Sequence, residues 1–214
     1  MGKFSLGTAA LILLLFLPAG SISYWQGWLF LGILLIPMFL AGLIMMKLNP
    51  ELLEKRLSAK EKMKDQGMVI KLSGLMFLGG FILAGLTYRF QWQVLPNWVS
   101  YFFTVIFLTA YAVYGEVLRE NTFLSRTIEI QKNQTVVDTG LYGIVRHPMY
   151  AVTLVLFLSM PLVLGSFWSF LVFLLYPVLI LKRIQGEEEF LEENLQGYKA
   201  YQEKVHWRLI PYIW

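Results

Sequence analysis

The chain has 214 residues, 57% of them hydrophobic and 15% charged, where a soluble domain carries about 25% charged residues. That deficit, concentrated in long apolar runs, marks an integral membrane protein, whose length bounds the number of spans rather than the size of a water-driven core. Cysteine is absent and histidine occurs twice, which excludes disulfides, thiolate ligands and a cysteine nucleophile and leaves no metal site to expect. The net charge of +4 is modest, and no nucleic-acid partner is expected.

The N-terminal stretch MGKFSLGTAALILLLFLPAGSIS has the outline of a signal peptide. Further apolar runs follow it, so it is read as a retained first span. Leu6 stands where a myristoylation signal needs Ser or Thr. Crossing about 30 Å of hydrocarbon takes around 20 apolar residues. Spans are expected near 4–22, 25–46, 68–88 and 98–118, the first pair joined by an uncharged turn around Pro18–Tyr24. The connection KLNPELLEKRLSAKEKMKDQG reads as a short helix or solvated linker at the headgroups. Gly74, Gly80 and Gly85 lie at helix-packing spacing and predict close helix contact.

Residues 115–131 include Glu116, Arg119, Glu120 and Asn121 at a span end, where interfacial placement explains them without a functional role. NQT at 133–135 matches a glycosylation sequon, idle on a cytoplasmic loop. The segment 134–142, QTVVDTGLY, reads as a short extended piece and a turn. It is either a plain loop or a strip of backbone with the Tyr142 ring laid along a flat ligand.

The apolar run 149–181 is too long for one span and slightly short for two. Pro161 and Gly165 flank LVL in its middle, predicting a hairpin of two short helices. Pro148 fits a first helical turn, with His147 near its N-cap. Arg146 and His147 there are either snorkelling anchors or part of a site that uses the free backbone donors. Arg183 stands one turn before Glu187. It serves either as a positive-inside anchor or as a guanidinium gripping a carboxylate. Beyond it, Phe190, Leu191, Leu195, Tyr198, Tyr201 and Val205 recur at three- and four-residue steps, one face of an amphipathic helix over 187–206. Every Lys and Arg but Arg89 falls on one side of this layout, so both termini and both long connections are expected in the cytoplasm.

The expected fold is all-α, a polytopic membrane helical bundle. It has five to six transmembrane helices, including a C-terminal helical hairpin, and a cytoplasmic amphipathic C-terminal helix. Residues 1–118 form the N-terminal spans, and 119–214 hold a loop, the hairpin 148–184 and the amphipathic helix.

QTVVDTGLYGIVRHPMY, an apolar hairpin, then RIQGEEEFLEENLQGYKAYQEKV and a late IP together resemble the isoprenylcysteine carboxyl methyltransferase family. Its pattern runs L-V-x-x-G-x-Y-x-x-x-R-H-P-x-Y, hairpin, R-x-x-x-E-E, F-G-x-x-Y-x-x-Y, I-P. The likeness covers residues 127–211, and NPELLEKR is similar to the cytoplasmic connection of bacterial members. The resemblance implies a membrane-embedded methyltransferase using S-adenosylmethionine, with 119–214 as its catalytic region and a cytoplasmic active site. By matched position it implies cofactor contacts from Gln131, Gln134, Thr135, Val136, Val137, Tyr142, His147, Pro148, Met149, Tyr150 and Glu187. Arg183 takes the place of the arginine that faces the substrate carboxylate. The partners it implies are a lipophilic small molecule or prenylated substrate and the membrane lipids. Two departures are visible: the Gln131–Gln134 loop is shorter than in eukaryotic members, and the F-G-x-x-Y motif has become Leu195-Gln196-Gly197-Tyr198, one residue short. Two other functions fit a chain of this kind: an NADPH-dependent membrane reductase of sterol-like double bonds, and a non-catalytic lipid-binding membrane protein.

Overall fold

Each apolar run is helical because, inside a bilayer, only a helix or a closed barrel satisfies every backbone N–H and C=O. A computed structural model describes residues 2–48, 50, 51, 53, 64–125 and 127–214. Helices α1 (Gly2–Ala19) and α2 (Trp25–Leu48) are followed by α3 (Lys64–Phe90) and α4 (Asn97–Glu120). After an irregular stretch and a 3₁₀ turn (Gly140–Gly143) come α5 (Pro148–Val163), α6 (Phe167–Phe173), α7 (Leu175–Asn194) and α8 (Tyr198–Lys204). Among the described residues no strand forms; Val94 and Ser166 make one isolated bridge. The fold is the expected all-helical membrane bundle. Most of the surface helix expected in the 47–67 connection lies outside the described residues.

Among the described residues, four helical stretches are long and apolar enough to cross a membrane: Trp25–Leu48, Gln66–Phe90, Asn97–Glu120 and Phe167–Asn194. Phe4–Ala19 and Pro148–Val163 are shorter. The 16 residues of α5 span about 24 Å at 1.5 Å per residue, less than a full hydrocarbon core. Its hairpin partner is broken at Leu174, between α6 and α7. Pro177 explains the break, since it has no N–H for the carbonyl one turn back and its ring crowds that turn.

The far end of the bundle, where the hairpin turns, is tied by polar contacts. Gly165 adopts φ +70 and its carbonyl accepts from the Leu95 N–H at 2.9 Å. Tyr24 Oη donates to the Leu164 carbonyl at 2.7 Å, and Ser166 Oγ donates to Thr87 Oγ1 at 2.9 Å. Ser166 also caps α6, its Oγ accepting from the Ser169 N–H. Exposed Trp28, Trp92, Trp98 and Trp168 ring this end, as an aromatic belt does at a membrane interface.

Within the bundle α4 lies along α5, α1 along α3, and α3 against α6 and α7. The core is aromatic: Phe77 meets Phe157 and Phe173 edge-on, with ring centroids 4.9 and 5.3 Å apart. Such packing, rather than release of water, holds helices together in lipid. Two of the three glycines singled out by spacing serve it. A Cβ on Gly80 would sit 2.3 Å from the Phe173 ring, and one on Gly85 would sit 2.5 Å from the Leu15 carbonyl. Gly74 has no neighbour within 4 Å of such a Cβ; it faces away from the packed surfaces, which corrects the expectation for that residue.

The amphipathic helix expected over 187–206 is not one element. Helix α7 runs through to Asn194, the chain breaks at Leu195–Gly197, and α8 restarts at Tyr198. Gly197 takes φ +87, a left-handed turn that costs a glycine little. The shortened motif is thus accommodated as a kink. The apolar face survives it: Leu195, Tyr198, Tyr201 and Val205 are buried together against Ile130, Val136 and Leu191.

Candidate functional site

At the end of the bundle opposite the tryptophans, the irregular segment 121–139 folds back over the start of α5 and the polar half of α7. Its turns are made by its own side chains. Asn121 Oδ1 accepts from the Phe123 N–H at 3.0 Å, and Gln134 Oε1 accepts from the Gln131 N–H at 2.9 Å. Gln131 Nε2 donates to the Phe123 carbonyl at 2.6 Å. Glu120 then fixes the 3₁₀ turn. Its carboxylate accepts from the Leu141 N–H at 2.9 Å and fills the space where a Cβ on Gly140 would stand. With φ +56 at Gly140 as well, the turn requires glycine there.

Helix α8 straps this segment down. Tyr201 Oη donates to the Tyr142 carbonyl at 2.7 Å, and Lys204 Nζ donates to Asp138 Oδ2 at 2.6 Å. The hydrogen bond and charge of Lys204 hold the exposed Asp138 carboxyl below its ordinary range.

Below the strap the two adjacent glutamates of α7 part company. Glu188 is buried and accepts from Arg146 Nε at 2.7 Å and Arg208 Nε at 2.7 Å, with His147 Nε2 at 3.1 Å. Arg146 also donates to the carbonyls of Val205 and His206 at 2.8 and 2.9 Å. The backbone N–H groups of Arg146 and His147 donate to the carbonyls of Trp207 and Arg208. One carboxylate among three basic side chains therefore clamps the Arg146–His147 loop to the C-terminal segment. Glu187 instead accepts from Tyr150 Oη. Arg183 Nε lies 3.4 Å from that hydroxyl, and Arg183 Nη1 donates to Gln66 Oε1 at 3.2 Å. The ring of His147 stacks on that of Tyr150 with centroids 5.7 Å apart.

A cavity lies between these layers. Of the residues singled out in the sequence, Gln134, Thr135, Val136, Val137, Tyr142, His147, Met149, Tyr150, Arg183 and Glu187 line it. Gln131 and Pro148 do not: Gln131 braces the loop behind the wall, and Pro148 opens α5 at its first position. Arg146, an anchor or a site residue by sequence, lines it as well; a whole wall, Asn121, Phe123 to Ser125 and Thr127 to Glu129, carried no such signal, and neither Tyr198 nor Tyr201 was expected there. Asn121 carried no signal beyond its place at a span end. Tyr198 and Tyr201 lay on the amphipathic face, which gave their burial without their destination.

Two lining hydroxyls are buried: that of Tyr198 completes no hydrogen bond within the protein, and that of Tyr142 has Asn121 beside it. Burial pushes both well above the ordinary tyrosine range, with Glu188 and Glu187 adding to it at Tyr198, and with Asn121 opposing and Glu187 adding to it at Tyr142. Both stay protonated and able to donate at the cavity wall. Around them Val136, Val137, Met149, Leu191 and Leu195 give an apolar wall, and Glu187 a carboxylate. A buried donor left unpaired costs about 1–3 kcal/mol, so this lining suits an occupant with apolar and polar parts.

Residues 100–197 match the family model described as phospholipid methyltransferase. No curated protein matches the chain. The resemblance to a membrane methyltransferase family is thereby borne out over residues 100–197, which hold most of the cavity's lining.

Proposed function

With residues 100–197 similar to the phospholipid methyltransferases, we propose that the protein is an S-adenosylmethionine-dependent methyltransferase of a lipophilic acid, the carboxylate of an isoprenylcysteine-like molecule. The observation that carries this reading is the cavity's combination of buried tyrosine hydroxyls, that of Tyr198 without a partner, an apolar wall, Glu187 and Arg183. These groups fit a cofactor with an aromatic base, sugar hydroxyls and a zwitterionic end. Val136, Val137, Met149 and Leu191 suit the base; Glu187 suits hydroxyl or ammonium donors; Tyr142 and Tyr198 suit acceptor oxygens. When bound, S-adenosylmethionine supplies a methyl group activated by a positively charged sulfur.

The rest is the work of the chain. A carboxylate is ionised at neutral pH, so no general base is needed and His147 is left to its clamp on Glu188 and its place in the cavity wall. Arg183, buried at the cavity edge, offers a planar fork that grips a carboxylate by two hydrogen bonds and sets its orientation. Helix α8 lies over the loop, and with cofactor and acceptor seated the site would hold little water, which would strengthen that ion pair and remove competing nucleophiles. The lipid tail of the acceptor is accommodated by the bilayer that the apolar helix faces already contact.

The test is a pair of measurements on the protein in nanodiscs. Calorimetric titration should show micromolar binding of S-adenosylmethionine and none of NADPH. Membranes incubated with radiolabelled methyl donor should yield a labelled methyl ester that mild base hydrolyses. Binding of NADPH alone would support a reductase, binding of neither a lipid-binding scaffold, and a base-stable product a different acceptor group.

A further inference from the structure

Gln66 belongs to the first turn of α3, outside the matched residues 100–197, yet it is 3% exposed and its Oε1 receives Arg183 Nη1 at 3.2 Å. Its amide occupies a notch made for it. A Cβ on Gly186 would sit 2.2 Å from Gln66 Nε2. Gly186 lies inside α7, where glycine costs roughly 1 kcal/mol relative to alanine. Its φ is not positive; what lies where its Cβ would stand is the Gln66 amide, which a larger residue would push off its contact with Arg183. Burying an amide is unfavourable unless it is hydrogen-bonded, and here the bond goes to the guanidinium at the cavity edge.

We propose that Gln66 is a positioning residue for acceptor selection, holding one edge of the Arg183 guanidinium so that its fork meets a carboxylate at a fixed angle. This rests on the role proposed above for Arg183. Tyr150 at Nε and Gln66 at Nη1 contact the guanidinium from two helices. A neutral amide orients the cation without adding a negative charge that would compete with the substrate's own. The N-terminal half thereby takes part in specificity through one side chain.

The experiment measures equilibrium binding, without cofactor, of an S-farnesylated N-acetylcysteine and its carboxamide to nanodisc-embedded protein. Wild type should prefer the acid; equal affinities would overturn the carboxylate role of Arg183 and this inference with it. Given that preference, Gln66→Glu, which keeps the shape and adds a charge, should weaken the acid about tenfold and leave the carboxamide unchanged. Gln66→Ala and Gly186→Ala should each reduce acid preference, and the double variant should be no worse than either alone, because both act on one contact. Parallel loss of acid and amide binding would show a merely structural role and overturn the inference. So would an unchanged acid preference in Gln66→Glu, or additive losses in the double variant.

Discussion

Glu187 and Glu188 are chemically identical neighbours, and substituting each in turn separates the clamp from the cavity. Replacing Glu188 by Gln keeps its volume and removes the charge shared by Arg146, His147 and Arg208. The side chains of Glu188 and Arg146 are 4% and 7% exposed, and that of Arg208 is 37% exposed. Breaking a buried pair by removing one partner costs about 3–5 kcal/mol. Arg146 keeps the carbonyls of Val205 and His206 and Arg208 has access to water, which places Glu188→Gln near the lower end, about 3 kcal/mol. For a chain of this size each kcal/mol moves the melting temperature by roughly 2–4 °C, so the fall should be about 6–12 °C. Thermal unfolding in nanodiscs, followed by tryptophan fluorescence, measures it. Glu187→Gln should shift the melting temperature by no more than about 2 °C, since only the Tyr150 hydrogen bond changes character. It should weaken S-adenosylmethionine about tenfold by calorimetry. Equal thermal losses for the two variants, or an unshifted Glu188→Gln, would refute the division of labour.

Three further substitutions follow from the same geometry. Arg183→Ala should reduce methyl transfer to a carboxylate acceptor at least a hundredfold while cofactor affinity changes less than twofold; turnover at the wild-type rate would remove Arg183 from acceptor binding. Tyr198→Phe deletes a hydroxyl that has no partner in the protein, so thermal stability should hold or rise while S-adenosylmethionine binds about three- to tenfold more weakly; unchanged affinity would mean that the hydroxyl does not meet the cofactor. Gly140→Ala combines a left-handed φ with overlap on the Glu120 carboxylate, so a loss of about 1–3 kcal/mol in denaturant unfolding is expected; an unaffected midpoint would show that the 3₁₀ turn tolerates rearrangement.

Sequence alone determined the membrane class, the helical architecture and one side of the cavity's lining. The apolar runs leave the backbone few alternatives in lipid, and Pro148, Pro161 and Gly165 punctuate the hairpin wherever it packs. A polar group beside a span drew attention to the His147–Tyr150 stretch and the Arg183–Glu187 pair but left anchor and site as alternatives, and it was the family resemblance that pointed to a site. What only tertiary structure decided were choices between residues of the same type and contacts between distant segments. Glu187 faces the cavity and Glu188 the clamp, a distinction of about 100° around one helix that neither residue's identity encodes. Asn121, Phe123 to Ser125 and Thr127 to Glu129 became a wall in a chain that folds back where Glu120 pins a turn 21 residues on. Gly80 and Gly85 pack while Gly74 does not, because spacing fixes a face but not whether another helix arrives there. Gln66 reaches Arg183 across more than a hundred residues of chain, since the bundle returns α3 and α7 to the same end of the protein.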